Sequence, residues 1–263
     1  MSGNDELQQQ IIQLQQQNAE LQEQLLRAQK MSSVGQLASS ITHEFNNILT
    51  TVINYGKMGL RHKAPETREK AFNRILSAGQ RAAKITNSML AYARAKGDRR
   101  DEMDLGMLVG DVLILVEKDL QMHRVRLQTD ILGNPVCEVN VARLQQVMMN
   151  LIVNARQAMD DDEGGQLYLT VRMSEDGKMG EISLRDTGPG IPADKLPKIF
   201  EPFYTTKQSD EHGQGGTGLG LAFCRDVIEE HHGRMRVESV VGQGTTFTIR
   251  LPLAAAQSDR KSA

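Results

Sequence analysis

The sequence predicts an α+β protein in which an N-terminal coiled coil leads into a dimeric four-helix bundle, followed by an α/β sandwich. Three observations predict this class: an apolar heptad pattern in the first thirty residues, two amphipathic helical segments after it, and alternating helix-like and strand-like segments beyond residue 104. The chain has 263 residues, of which 39% are hydrophobic and 24% charged, so it can form two compact units. We expect the coiled coil at 1–30, a helical hairpin at 31–97, the sandwich at 98–254 and a disordered tail at 255–263.

The N-terminal segment carries a heptad seam whose apolar positions follow one another in steps of four and three. The a positions are Ile11, Asn18 and Leu25, and the d positions are Leu7, Leu14, Leu21 and Ala28. An Asn among the a positions favours a parallel, in-register dimer at some cost in stability. The alternative is a solvated, Gln-rich helix.

A second seam begins in a different phase, so we expect the same helix to continue with another face turned inward. Its positions are Val34, Ala38, Ile41, Phe45, Ile48, Val52 and Tyr55. The pattern stops around Arg61 to Glu66, where Pro65 suits a loop or a first helical turn. A second amphipathic helix then runs to about Gly97, and two such hairpins would form the bundle. The charged stretch Lys96 to Glu102 is interpreted as a linker.

The remaining chain alternates between helical and extended patterns. We expect helices at 105–120, 140–159 and 218–231, and strands at 124–132, 136–139, 166–174, 181–186, 234–240 and 245–251. Adjacent strands joined by short turns favour a sandwich over a doubly wound parallel sheet. His231 and His232 fall at the end of the last helix, where an imidazole meets the negative end of the helix dipole.

Composition limits the possible partners. The net charge of −2 gives no field that favours nucleic acid or an anionic membrane. No apolar run approaches the length that spans a bilayer, and no signal-peptide pattern opens the chain. Cys137 and Cys224 stand apart rather than in a CxxC pair, so we expect buried or half-buried thiols in a reducing compartment. These features predict a cytoplasmic protein without a membrane segment, which could be one part of a longer receptor.

The first chemical motif, THEFNN at residues 42–47, lies in the first bundle helix. The apolar stripe of that helix leaves His43 on the flank that faces solvent, and a neutral imidazole is a competent nucleophile near pH 7. Glu44 could accept the proton of the other ring nitrogen. Asn47 lies one turn on, on the same face, and could orient a water or a phosphoryl oxygen. The alternative is an ordinary surface histidine.

Two further motifs carry polar side chains that could bind a ligand. One places two amides on a helix, and the other places a carboxylate at the end of a strand. Asn150 and Asn154 share one helix face, and amide oxygens suit Mg²⁺, although Asn also decorates helices without any such role. Asp186 ends a strand and precedes Gly188 and Gly190, which permit close backbone approach. Its carboxylate could accept a hydrogen bond from an exocyclic amine; the alternative is an ordinary turn.

A glycine-rich segment at 213–221 opens the last helix, and its free N–H groups could cradle a phosphate. It matches neither the Walker A pattern nor the position of a Rossmann fingerprint. The preceding run FEPFYTTK at 200–207 has the composition of a mobile lid, and Lys207 is a candidate phosphate contact. The candidate residues of the glycine-rich segment are Gly216, Thr217, Gly218, Leu219 and Gly220.

In this order the motifs resemble the sensor histidine kinase family of two-component systems, over roughly residues 31–252. The motif sequences HEFNN and NARQAM are most similar to those of the nitrogen-regulation and oxygen-sensing branch. The resemblance implies a HisKA dimerisation and phosphotransfer hairpin and a Bergerat-type ATP-binding sandwich, with ATP and Mg²⁺ as cofactors. It also implies a homodimer that phosphorylates its own histidine and passes the group to an aspartate of a response regulator receiver domain. Dephosphorylation of that regulator is implied as well.

The resemblance also assigns roles to residues. His43 would be the phosphoacceptor, Glu44 its acid–base helper, and Asn47 the residue for regulator dephosphorylation. Asn154 would hold Mg²⁺ and Asp186 would bind the adenine amine. The expected nucleotide contacts are completed by Asn150, Gly188, Gly190, Lys207, Gly216, Thr217, Gly218, Leu219 and Gly220. Many members carry Lys where this chain has Gln157, and Arg156 or Lys207 are the candidates to replace it.

Two other functions compete with this interpretation. Hydrolysing ATPases of the same sandwich fold, of the gyrase-like or chaperone-like kind, place a catalytic Glu four residues before the metal-binding Asn, and this chain has Asn150 there. A scaffold or pseudokinase would dimerise partners without chemistry, and the presence of His43, Asn154 and Asp186 argues against it.

Overall fold

The computed structural model describes residues 3–94, 99–159, 164–205 and 218–254. The chain divides into two compact units, Met1–Gln36 and Leu37–Ala263. The domain boundaries expected from the sequence stay predictions, and the expected tail at 255–263 lies outside the described residues, as does the acidic turn at 160–163. In the described part of the chain, every helix is too short or too polar to cross a membrane.

The helical part consists of α1 (Gly3–Arg61) and α2 (Pro65–Arg94). α1 is continuous through the change of apolar phase, as the sequence predicts, and α2 begins at Pro65, whose missing N–H costs nothing at the first helical position. In the first unit Ile11 and Leu14 remain exposed, which fits a seam that needs a partner helix. In the second unit the two helices bury a small core formed by Ile48, Ala71, Ala78 and Ile85.

The prediction of a linker is wrong at the C-terminal end of the charged stretch, because a short strand begins there. β1 (Asp101–Asp104) pairs antiparallel with β3 (Val136–Val139). The charged side chains of β1 suggested a solvated linker, but strand pairing uses only backbone groups and tolerates charges at an edge. The side chain of Asp104 then caps α3 (Leu105–Met122) by accepting from the N–H groups of Gly106 at 2.7 Å and Met107 at 3.1 Å.

A five-stranded mixed sheet forms the body of the sandwich, in the order β2-β4-β5-β7-β6. The strands are β2 (Val125–Leu132), β4 (Gly165–Met173), β5 (Met179–Asp186), β6 (Arg234–Val240) and β7 (Gly244–Pro252). Only the β2–β4 pair is parallel among these neighbours. The helices α3, α4 (Val141–Ala158) and α5 (Gly220–Glu230) pack on one another and on the sheet. The α/β sandwich predicted from the sequence is therefore confirmed.

Two buried polar links join the helices of the sandwich. Arg156 of α4 lies 3.0 Å from the carboxylate of Asp119 on α3, and both side chains are buried. His231, at the end of α5, accepts from the N–H of Asn140 at 2.8 Å through Nε2, while Nδ1 lies 2.6 Å from the carbonyl oxygen of Val227. The imidazole thus connects the end of α5 to the start of α4. Both cysteines are buried and free, as expected.

Candidate functional site

His43 lies on the exposed face of α1, where the apolar stripe of the helix leaves it. One turn on, the side-chain amide nitrogen of Asn47 lies 3.1 Å from Nδ1 of His43. Glu44 points to the other side. Its carboxylate lies 2.8 Å from Nε of Arg81 on α2, and its side chain is only 11% exposed. The structure therefore brings His43 and Asn47 together and turns Glu44 away towards α2.

Asp186 ends β5 in a buried position, with 4% of its surface exposed. Its Oδ1 accepts from the N–H of Gly188 at 2.9 Å and from the N–H of Thr245 at 3.1 Å. Within the described residues, Oδ2 has no hydrogen-bond partner. Burial raises the pKa of Asp186, and the two N–H donors oppose that rise. A fixed, buried carboxylate with one open oxygen is suited to accept a hydrogen bond from an amine of a ligand.

The loop after β5 is built for close backbone contact. Gly190 has φ +73°, and a Cβ there would lie 2.3 Å from the carbonyl oxygen of Val240. The N–H of Ile191 donates to Ser239 Oγ at 2.7 Å, and the N–H of Gly242 donates to the carbonyl of Pro189 at 2.8 Å. The loop is thus fastened to the end of β6 and to the turn that follows it, which fixes the backbone next to Asp186.

The two asparagines of α4 have different surroundings. Asn150 is half-buried, and its amide nitrogen donates to the carbonyl of Gly220 at 3.4 Å and to Sγ of Cys224 at 3.9 Å, so it contacts α5. Asn154 is half-buried one turn further on. In the described ranges no group of three acidic, His or Cys side chains could hold a metal. The amide of Asn154 nevertheless fits Mg²⁺, because that ion keeps several waters and takes few protein ligands beside substrate phosphates.

The start of α5 lies against Asn150 of α4 and against the segment that contains Phe203. Leu219 is its N-cap and makes no side-chain cap hydrogen bond, and the N-terminus of a helix is a position that favours an anion. Gly218 has φ +68°, and a Cβ there would lie 2.4 Å from the carbonyl carbon of Phe203. Phe203 itself is 73% exposed with φ +66°. At the base of the predicted lid, the guanidinium of Arg225 lies 5.8 Å from the ring centre of Phe200. Three predicted site residues lie outside the described residues: Lys207, Gly216 and Thr217.

Sequence reasoning missed the contribution of the β6–β7 turn. Gly244 has φ +105°, and a Cβ there would lie 1.9 Å from the carbonyl oxygen of Asp186, so only glycine fits. Thr245 supplies one of the two N–H groups that hold the carboxylate. The glycine pair in Gly242-Gln243-Gly244 was the available signal. Arg156 was one of two candidates to replace the lysine that many family members carry where this chain has Gln157. That prediction is wrong for Arg156, because its guanidinium is buried beside Asp119.

Two family descriptions match separate parts of the chain. Residues 33–98 match the His Kinase A (phospho-acceptor) domain. Residues 139–255 match the histidine kinase-, DNA gyrase B- and HSP90-like ATPase family. The first contains His43 and the second contains Asp186.

Relatives and solved structures agree with these matches. The chain is 37% identical over 242 residues to sensor kinase CckA of Brucella abortus, an alignment that covers 85% of this chain and 25% of that protein. The catalytic domain of histidine kinase ThkA superposes with a TM-score of 0.51 at 30% identity, covering 59% of this chain and 98% of that one. A complex of ThkA with the response regulator TrrA gives a TM-score of 0.50 at 26% identity, covering 89% of this chain and 66% of that one. The chain spans about a quarter to a half of the length of the curated relatives it matches.

Proposed function

This chain belongs to the sensor histidine kinase family, and we propose that it transfers the γ-phosphoryl group of ATP to His43 and then to an aspartate of a response regulator. The observation that carries the proposal is the hydrogen bonding of the buried Asp186 carboxylate. A buried carboxylate is held through one oxygen by two backbone N–H groups, and its other oxygen is open to an amine such as that of adenine. The match to the ATPase family over residues 139–255 supports ATP as the substrate.

Several features support the roles of the other residues. The uncapped start of α5 would accept the phosphates, and Asn154 would hold Mg²⁺ beside them. When bound, Mg²⁺ neutralises developing charge on the phosphates. Asn150, which the sequence grouped with the nucleotide contacts, would act by fixing the first turn of α5 through the carbonyl of Gly220. Lys207, Gly216 and Thr217 remain predicted contacts.

The chemistry consists of two balanced transfers. The Nε2 lone pair of His43 forms a bond to the γ-phosphorus, and the bond from that phosphorus to the bridging oxygen breaks, so ADP leaves with the electron pair. The proton on Nδ1 passes to a base, for which Glu44 is the candidate. An aspartate oxygen of the receiver domain then attacks the phosphorus, and the phosphorus–nitrogen bond breaks with its electron pair returning to Nε2 while a proton returns to Nδ1, so the imidazole leaves neutral.

The proposal includes partners. A homodimer is supported by the large apolar side chains that the helical hairpin leaves exposed: Leu49, Ile53, Leu60, Phe72 and Leu76. A receiver domain as the second partner is supported by the solved complex of ThkA with its response regulator. Dephosphorylation of that regulator with the help of Asn47, and a cytoplasmic location, belong to the same proposal as predictions from the sequence.

Hydrolysis of ATP by water is the competing function for this fold. A hydrolase needs a carboxylate base near the γ-phosphate, and the residue four positions before Asn154 is Asn150, an amide that contacts α5. The proposal therefore favours transfer to His43 over transfer to water.

Incubation of the full chain with ATP labelled in the γ position tests the proposal. We expect acid-labile label on the protein, lost in His43→Gln and kept in the control His62→Gln, whose imidazole is also exposed on the hairpin. Label that survives His43→Gln would move the acceptor elsewhere.

A further inference from the structure

Glu44 is held by an arginine of the neighbouring helix. Nε of Arg81 lies 2.8 Å from Oε1 of Glu44, and the carboxylate is nearly buried while the arginine is 54% exposed. A carboxylate oxygen that accepts from a guanidinium has less capacity to accept a hydrogen bond from another group.

The contact between Asn47 and His43 has a consequence for the proton on the ring. The amide nitrogen of Asn47 only donates, so Nδ1 of His43 must accept across the 3.1 Å contact. A neutral imidazole that accepts at Nδ1 carries its proton on Nε2. In that tautomer Nε2, the ring nitrogen farther from the helix, has no lone pair to form a bond to phosphorus.

Arg81 also faces the nucleotide-binding part of its unit. Its Nη2 lies 3.9 Å from Oε2 of Glu117 on α3. Beside this contact, Ile114 of α3 packs against the small core of the helical hairpin around Ile48. The guanidinium is therefore held between a carboxylate of the hairpin and a carboxylate of α3.

We propose that Arg81 is a positioning residue that keeps Glu44 away from His43 and so leaves the imidazole in the Nε2–H tautomer. Release of Glu44 would let its carboxylate accept from Nδ1–H, and the proton would then stand on Nδ1. The Nε2 lone pair would be free to attack the γ-phosphorus, with the Nδ1 proton passing to Glu44. This inference rests on the proposed function for its consequence, whereas the positions of the protons are independent of any kinase activity.

The two tautomers of the His43 imidazole can be measured directly. The full chain, labelled with ¹⁵N at histidine, is examined by ¹⁵N NMR without nucleotide near neutral pH, and His43 is assigned from the signals that disappear in His43→Gln. We expect the Nε2–H form to predominate in the parent. In Arg81→Ala the ratio of Nδ1–H to Nε2–H should rise by roughly two- to tenfold, the range that one net hydrogen bond supplies.

Three further variants distinguish a positioning role of Arg81 from a general disturbance of the structure. Arg81→Lys keeps a charged donor and should resemble the parent, and Arg74→Ala removes an exposed arginine of the same helix and should do the same. In the double variant Glu44→Gln with Arg81→Ala the change of tautomer should disappear, because Arg81 acts through the Glu44 carboxylate. Circular dichroism and thermal unfolding check that each variant is folded.

The kinetics of autophosphorylation test the consequence of the tautomer change for the reaction. Arg81→Ala should raise kcat of autophosphorylation by a similar factor and leave the KM for ATP unchanged, since Arg81 lies outside the nucleotide pocket. An unchanged or lowered Nδ1–H fraction in Arg81→Ala overturns the inference, as does an effect that persists in the Glu44→Gln background. A shifted tautomer with no phosphorylation in any variant would instead contradict the proposed function and leave the positioning role intact.

Discussion

Replacement of Asp186 by asparagine separates nucleotide recognition from folding. Asparagine has the same shape, and its Oδ1 can still accept from the N–H groups of Gly188 and Thr245. The other oxygen becomes an amide NH₂, which faces the amine of adenine donor to donor. A hydrogen bond to a charged group contributes about 1.5–3 kcal/mol, so the Kd for nucleotide should rise roughly 10- to 150-fold.

The same change should not weaken the fold. Burial raises the pKa of Asp186, so its contribution to the free energy of unfolding is full below its unfolded-state pKa and is lost as the pH rises through the folded-state value. Ionisation of the carboxylate is therefore less favourable in the folded state than in the unfolded chain. Asp186→Asn is expected to leave the free energy of unfolding unchanged or higher.

Isothermal titration calorimetry with ADP and thermal unfolding without nucleotide provide the two measurements. The control Asp130→Asn changes an exposed aspartate on β2 and should alter neither quantity. Unchanged affinity in Asp186→Asn would refute the assignment of Asp186 to the adenine amine. A large loss of stability in the absence of nucleotide would show that the carboxylate is needed mainly for the fold.

Two other changes test the close contact of β7 with β5 and the link between α5 and α4. Gly244→Ala should lower the free energy of unfolding by more than about 2 kcal/mol, because its Cβ would overlap the carbonyl of Asp186; Gly177→Ala, also at positive φ but with open space around it, should cost only about 1–2 kcal/mol by denaturant unfolding. His231 has a lowered pKa, mainly because of burial, with Arg100 and Arg143 adding to the effect. Its contribution to stability is full above the unfolded pKa of about 6.5 and is lost as the pH falls through the folded-state value. His231→Gln should therefore flatten the dependence of the free energy of unfolding on pH between 7 and 5, and an equally steep dependence would place the titrating group elsewhere.

Much of the fold could be predicted because it depends on local pattern. β3 and β6 begin and end at the predicted residues, and α4 runs between Asn140, its N-cap, and Met159. In both strands, more exposed and more buried side chains alternate along the chain. The N-cap of α4 is an asparagine, a residue type whose side chain accepts from the first free N–H groups of a helix. β1 was missed because its charges carried no apolar alternation; its pairing depends on β3, more than thirty residues away.

The candidate site was predicted in part for the same reason. The motifs located Asp186 and the glycines after it, since glycine patterns are local signals. They gave no sign that Thr245 donates to the carboxylate, because nothing in the sequence relates two positions on different strands. The partners of Arg156 and Glu44, Asp119 and Arg81, also lie on other helices. Long-range partners of charged side chains depend on packing that local periodicity does not describe.

The most direct test of the account is the fate of the γ-phosphoryl group in a single turnover. With protein in excess over γ-labelled ATP, ADP and protein-bound label are measured at each time, and the labelled residue is identified by mass spectrometry at neutral pH. We expect one bound phosphoryl group at His43 for each ADP formed, and a slower formation of both in Asp186→Asn at the same protein and nucleotide concentrations. ADP accompanied by free phosphate from the earliest times, with no label at His43, would contradict the account and show that water is the acceptor.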